Sequence, residues 1–230
     1  MEQKERFRHE LKYEITYEEY LSLRSRLKQV MKSDSHARDD GRYRIRSIYF
    51  DNIYDKALLE KVNGAVFREK FRIRYYNDDC SYLLLEKKIK DNHLCRKVSK
   101  ELTREECDSL LSPDAAFLKR QENPLAQELR IKMKTQLLRP RVMVSYLREP
   151  YIYAAGNVRI TFDSDIRTSL FARQFFHSDR HDICAADVPG VMILEIKYDD
   201  FLPEIISHMV QSGRIRVQAF SKYAICRRFG

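Results

Sequence analysis

The chain has 230 residues, 43% hydrophobic and 33% charged, with 43 Lys and Arg against 34 Asp and Glu and a formal net charge of +9. That length favours one domain over residues 1–230, and only 6 Gly and 6 Pro exclude a linker-rich or disordered chain. Five scattered cysteines without C-x-x-C spacing exclude a disulfide scaffold and read as reduced thiols of a cytoplasmic protein, no apolar run is long enough for a membrane span, and the charge predicts an anionic partner.

In chain order, residues 8–15 alternate, with Leu11, Tyr13 and Ile15 on one face and Glu10, Lys12 and Glu14 on the other, which predicts a strand. Thr16 and Glu19 have capping-box spacing and open a helix to about Val30. Residues 32–42 read as a polar loop, 43–50 as a strand closed by Asp51-Asn52, and 54–62 as a short helix before a turn at Asn63-Gly64. Residues 67–76, 82–90 and 94–100 read as strands, and the turn at Asp91-Asn92 makes the last two a hairpin. Thr103 and Glu106 repeat the capping-box spacing ahead of a helix to Leu111, which Ser112-Pro113 breaks. Leu125, Leu129, Met133 and Leu137 mark one face of a longer helical region, interrupted near Asn123-Pro124 and ended by Arg139-Pro140. Residues 141–153 and 158–162 read as strands joined through Ala155-Gly156-Asn157, 165–188 as irregular, 191–198 as a strand, and 203–212 and the tail from Ser221 as helical.

Three strand-like runs place a glutamate two residues before a lysine: Glu10-Leu11-Lys12, Glu86-Lys87-Lys88 and Glu195-Ile196-Lys197. Residues two apart share a face of a strand, so each triplet aims an acid and a base at one space. Acids that hold a metal beside cations that hold phosphate point to phosphoryl transfer. The charged faces also carry Arg44 and Arg46, Arg72 and Arg74, Lys90, and Arg159 and Asp163. A solvated face explains any one such strand. Taken together the strands predict an α+β fold: a closed antiparallel β-barrel, charged and wet inside, with helices packed outside against Leu83, Leu85, Ile89, Leu194 and Ile196. Glu195 lies in the most apolar strand, where a carboxylate is expected to be metal-bound or paired with Lys197 or a neighbouring Arg. His177, His181 and Cys184 have helical metal-ligand spacing but no second pair, and no G-x-x-x-x-G-K-[ST] loop exists. Tyr75-Tyr76 beside the Arg-x-Arg pair reads as packing ahead of a base-stacking platform.

Several segments recur in family order over nearly the whole chain: Glu10-Leu11-Lys12-Tyr13, Ser47-Ile48-Tyr49-Phe50-Asp51-Asn52, Arg72-Ile73-Arg74-Tyr75-Tyr76, Glu86-Lys87-Lys88, Tyr146-Leu147-Arg148, Val158-Arg159-Ile160-Thr161-Phe162-Asp163, Leu194-Glu195-Ile196-Lys197 and Ser221-Lys222-Tyr223. On these the sequence resembles the polyphosphate polymerase domain of the vacuolar transporter chaperone (VTC) family, among the triphosphate tunnel metalloenzymes or CYTH-like superfamily. The resemblance implies a Lys- and Arg-lined tunnel that holds a triphosphate with a divalent metal. In fungal members the terminal phosphate of ATP passes to a growing polyphosphate chain. By position, Lys12, Arg72, Arg74, Lys88, Arg148, Lys197 and Lys222 would bind phosphate, with Ser221 assisting; Lys61, a looser match, and Lys90 and Lys97 join that set. Arg72, Arg74, Lys88 and Arg148 would be catalytic. Glu195 would be the main ligand of Mn2+ or Mg2+, with Glu10 and Glu86 as candidate helpers.

Arg8 stands where the superfamily often has the first acid of E-x-E-x-K. One acid fewer leaves fewer bases to activate water, which favours transfer over hydrolysis. The expected ligands are ATP or another triphosphate and polyphosphate, with no DNA. The membrane segments of the eukaryotic complexes have no counterpart in the sequence, so a membrane protein is a candidate partner. The rival readings are a triphosphatase for inorganic triphosphate or RNA 5′ ends, and a non-catalytic polyphosphate or nucleic-acid binding module.

Overall fold

The structure is a computed structural model that describes residues 7–34, 36–92, 94–112, 123–169, 175–176, 183–184, 192–211 and 220–229. Its strands are β1 (Arg8–Ile15), β2 (Lys32–Ser33), β3 (Tyr43–Asp51), β4 (Phe67–Tyr76), β5 (Asp79–Asp91), β6 (Leu94–Leu102), β7 (Arg139–Tyr153), β8 (Val158–Ser169), β9 (Ile183–Cys184) and β10 (Met192–Tyr198). The helices are α1 (Tyr17–Leu27), α2 (Lys56–Val62), α3 (Arg104–Leu111), α4 (Pro124–Thr135), α5 (Glu204–Val210) and α6 (Lys222–Cys226). Every pairing is antiparallel. The order β7-β3-β4-β5-β6-β1-β10-β8 returns to β7, so eight strands close into a ring. The seam between β1 and β6 is short: Arg8 faces Cys95 and His9 faces Leu94.

Local signals set the helices against this ring. Both capping boxes form: the Thr16 hydroxyl accepts from Glu19 N–H at 3.3 Å and the Glu19 carboxylate from Thr16 N–H at 2.8 Å, and Thr103 and Glu106 do the same. Asn123 caps α4, with Pro124 in the first turn where its missing N–H costs nothing. Outward residues of β3, β4 and β5 (Ile48, Phe50, Ile73, Leu85) pack against Leu110, Leu129 and Met133 of α3 and α4. On the other side Ile160, Phe162, Leu194 and Ile196 pack against Leu23, Leu27 and Ile206 of α1 and α5. Each such buried side chain contributes about 1.5–3 kcal/mol.

Three expectations change. β8 continues to Ser169, because a bulge hides its alternation: Asp165 has φ 49° and the register against β7 shifts between Ser145 and Leu147. α4 stops at Thr135, and Leu137, with φ 59°, is 44% exposed, so Leu138 is buried in its place as the chain turns into β7. Within the 32–42 loop, Lys32 and Ser33 pair with Ile152 and Tyr151. His177 and His181 lie outside the described residues, as does the side chain of Cys184. No helix among the described residues is long and apolar enough to cross a membrane.

Gly156 holds the β7–β8 connection. Its φ is 69°, and a Cβ there would lie 2.5 Å from the Phe201 carbonyl oxygen, so the turn and the approach to α5 both require glycine.

Candidate active site

Strand parity decides what enters the ring. Directly opposite residues of an antiparallel pair share a face. Tyr49 faces Arg72, Arg72 faces Glu86, and Lys70 faces Lys88, which faces Lys97. Glu10 faces Lys197, Lys12 faces Glu195, and Arg148 faces Asp163. All these point inward, so the three acid–base triplets do share one interior. Arg44 and Arg46 do not join them. They are in phase with Ile48 and Phe50 of the outer core, and the inward residues of β3 are Ser47 and Tyr49. Arg46, 2% exposed, pairs outside the ring with Asp78 at 3.0 Å and the Tyr75 hydroxyl at 2.5 Å. Tyr75 is therefore outer core and Tyr76 inner face, so the two cannot form one stacking platform.

One side of the interior is apolar. Ile45, Val142, Val144, Tyr146 and Ile193 pack there with Tyr223 and Cys226 of α6. The Tyr223 hydroxyl donates to Asp51, whose carboxylate also accepts the N–H groups of Ala57 and Leu58 in the first turn of α2. This anchors α6 and delivers Lys222 into the bore. Ser221 caps α6 through Ala224 N–H at 3.3 Å, so its hydroxyl serves the helix that carries Lys222.

The remaining interior is a network of charges. Glu195, 4% exposed, meets Lys197 at 2.6 Å, Arg148 at 3.5 Å, Lys12 at 3.8 Å and Lys222 at 3.9 Å. Asp163 accepts a bidentate pair from Arg148 at 2.6 and 2.7 Å and meets Lys222 at 2.5 Å. Glu86 holds Arg72 at 2.6 Å, Lys97 at 2.9 Å and Arg74 at 3.6 Å. Arg74 also donates to Ser47 at 3.3 Å and Arg72 to the Tyr49 hydroxyl at 2.8 Å. Glu10 joins Lys88 at 2.6 Å, across the short seam, to Lys12 at 3.1 Å.

Burial opposes ionisation of all four acids, yet the facing cations prevail. Lys12 and Lys88 hold Glu10 well below the usual carboxylate range, and Arg72 and Arg74 do so for Glu86. Arg148 and Lys222 lower Asp163, and Lys197, Lys12 and Arg148 lower Glu195. Burial pushes Lys197 down to about 8 against the pull of Glu195 and Glu10. The Tyr49 hydroxyl is also lowered: burial raises it, and Arg72 and Arg74 outweigh that.

The expected residues fall into three settings. Lys12, Arg72, Arg74, Lys88, Lys97, Arg148, Lys197 and Lys222 converge on the interior, each with a carboxylate. Among the described residues no carboxylate pairs with Lys61 or Lys90. Of the three candidate metal ligands, Glu10 and Glu195 are linked through Lys12, whereas Glu86 sits with Arg72, Arg74 and Lys97. Asp163 received no role from the sequence, although alternation from Arg159 put it on the charged face. Arg8, in place of an acid, pairs with Asp199 at 2.7 Å.

Among the described residues no group of three or more His, Cys, Asp or Glu could cage a metal. The carboxylates of Glu10 and Glu195 do suit a hard cation completed by phosphate oxygens and water, the usual manner of Mg2+. The donor chemistry therefore fits a divalent ion that arrives with a triphosphate.

The VTC domain model matches residues 7–229. The chain belongs to the VTC domain family. No curated protein matches it. Among solved structures it is similar to a putative adenylyl cyclase from Hippeastrum, described as having a dominant triphosphatase activity, at 12% identity, 96% coverage of each chain and a TM-score of 0.57. It is also similar to a putative adenylate cyclase from Bacillus halodurans, at 14% identity, 89% coverage of this chain, 86% of that chain and a TM-score of 0.51. At these identities the likeness is one of fold, and the fold of this VTC domain is that of the triphosphate tunnel proteins.

Proposed function

We propose that this VTC domain is a metal-dependent phosphotransferase that moves the terminal phosphate of ATP, or of another triphosphate, onto a polyphosphate end. The observation that carries the reading is the convergence of Lys12, Arg72, Arg74, Lys88, Arg148, Lys197 and Lys222, from five strands and one helix, on one interior. Phosphoryl transfer asks for in-line positioning and neutralisation of charge on phosphate oxygens. Arg72 and Arg74 lie about 7 Å apart along one face, within reach of successive phosphates, and their planar forks each take two oxygens. Lys88 and Arg148 approach from β5 and β7, and Lys222 from α6. Glu195 and Glu10 would hold Mn2+ or Mg2+, which neutralises phosphate charge when bound.

The four acids are poor bases for water, which supports attack by a phosphate end over hydrolysis through a carboxylate. Glu10, Glu86, Asp163 and Glu195 are ion-paired and lowered. A base for water needs a pKa near the working pH, whereas a phosphate oxyanion attacks without losing a proton. The protein would act in the cytoplasm, with a membrane protein as the partner if its product crosses a bilayer. Incubation of the pure protein with ATP and manganese tests this: a ladder of phosphate chains on a gel is expected. Phosphate release without a ladder identifies a triphosphatase, and salt-sensitive binding without turnover a binding module.

A further inference from the structure

Three tyrosines on the inner face of the ring accept from arginines: Tyr43 from Arg159 at 2.8 Å, Tyr49 from Arg72 at 2.8 Å and Tyr146 from Arg74 at 3.5 Å. Tyr20, Tyr75, Tyr151 and Tyr223 instead donate, to Glu149, the Phe175 carbonyl, Glu149 and Asp51. Arg72 and Arg74 belong to the expected phosphate set, and of their two tyrosine contacts that of Tyr49 is the short one. Tyr49 is 8% exposed, and among the described residues no protein acceptor takes its hydroxyl proton.

Tyr49 is held in place from several sides. It stands directly opposite Arg72 of β4, and its ring packs on that of Tyr223 at 5.3 Å. The register of β3 against β7 shifts immediately after it, and such irregularities re-aim side chains beside active sites. Arg72 is then fixed at two of its three nitrogens: Nε donates to Glu86 at 2.6 Å and Nη1 to Tyr49 at 2.8 Å. Glu86 alone would leave the fork one contact about which to pivot. Tyr49 supplies the second without adding a negative charge to a space built for anions. Nη2 and the remaining N–H of Nη1 are left to meet a phosphate.

We propose that Tyr49 is a positioning residue for transfer: its hydroxyl sets the plane of the Arg72 guanidinium, so that the free edge of the fork meets the transferred phosphoryl group. The inference rests on the transferase reading above and adds to it a residue that is neither a base nor a metal ligand.

The charges around the phenol supply a readout. Arg72 and Arg74 of β4, Lys12 of β1 and Lys222 of α6 surround it, with Glu86 of β5 on the far side of Arg72, Val142 of β7 opposite, and Tyr223 against the ring. Burial raises the hydroxyl, and Arg72 leads the cations that outweigh it, so Tyr49 titrates below its ordinary 10.0. At Tyr43, Tyr75 and Tyr151 burial prevails and the hydroxyls are pushed up. Loss of the Arg72 charge, or arrival of an anion, disfavours the phenolate and moves Tyr49 upward.

Steady-state ladder formation from ATP and manganese tests the proposal. In Tyr49→Phe kcat should fall about 10- to 100-fold while KM for ATP changes less than about threefold. In an Arg72→Lys background the same substitution should cost less than about twofold, because no fork remains to be aimed. An equal loss in both backgrounds, a loss confined to KM, or no loss at all overturns the proposal. Ultraviolet titration of tyrosinate, taken as wild type minus Tyr49→Phe, needs no turnover. It should show one tyrosine ionising below 10.0, moved up by Arg72→Gln and by tripolyphosphate. A Tyr49 that titrates alike with and without the Arg72 guanidinium also overturns the proposal. If the wild type makes no ladder, the transferase reading fails, and the titration still decides whether Tyr49 aligns Arg72.

Discussion

Asp163→Asn is the cleanest test of the charge balance inside the ring. The substitution keeps shape and removes one charge from a residue that is 0% exposed. Arg148 and Lys222 would be left with Glu195, which is farther from them, at 3.5 and 3.9 Å, and already engaged by Lys197 at 2.6 Å. Breaking a buried ion pair from one side costs about 3–5 kcal/mol. In a chain of this length each kcal/mol moves Tm by about 2–4 °C, so melting should fall by about 6–20 °C. The same change should improve anion binding. It removes a repulsion whose ceiling is about 4 kcal/mol for unit charges 4 Å apart at an intermediate dielectric, and it releases two cations to phosphate. Thermal melts by circular dichroism, in EDTA with and without tripolyphosphate, read both effects. The variant should melt lower alone and gain more from tripolyphosphate than the wild type does. A Tm within about 2 °C of wild type, or an equal gain in both proteins, would refute the balance of charges argued here.

The ring was legible because its signal is local and repeated. Glu10-Leu11-Lys12 and Glu195-Ile196-Lys197 each alternate cleanly, and the outer partners Leu11, Leu194 and Ile196 named the opposite face without tertiary information. Arg44 and Arg46 depart from the expected interior for the same reason in reverse. Alternation says which residues share a face, not which face turns inward, and on β3 the arginines share theirs with Ile48 and Phe50. The bulge at Asp165 broke the period and hid the end of β8. The division of the acids was not legible at all. Whether Glu86 stands with Glu195 or with Arg72 depends on the order of strands around the ring, which pairs β5 with β4 and β10 with β1.

Four further outcomes are expected. Arg74→Ala should keep the far-ultraviolet spectrum, since Glu86 retains Arg72 and Lys97, while the rate of ladder formation falls about 100- to 1000-fold. Glu195→Gln should raise the manganese concentration for half-maximal turnover at least about tenfold; an unaltered titration removes Glu195 as a metal ligand. Gly156→Ala should cost about 1–3 kcal/mol in urea unfolding, because it forces a side chain into a left-handed turn against the Phe201 carbonyl, and a neutral result would place that turn elsewhere. Acid should unfold the protein through its interior. Glu86 and Glu195 sit well below their ordinary value of 4.5 and Asp163 below 3.8, so the unfolded chain takes up protons at a higher pH than the folded one. Their stabilisation is complete above those ordinary values and is lost as pH falls through the lowered ones, so the urea midpoint should hold down to about pH 5 and drop steeply by about pH 3. In Asp163→Asn one of these acids is already gone, and its midpoint should fall less over the same interval; an identical fall would mean that Asp163 is not charged in the folded bore.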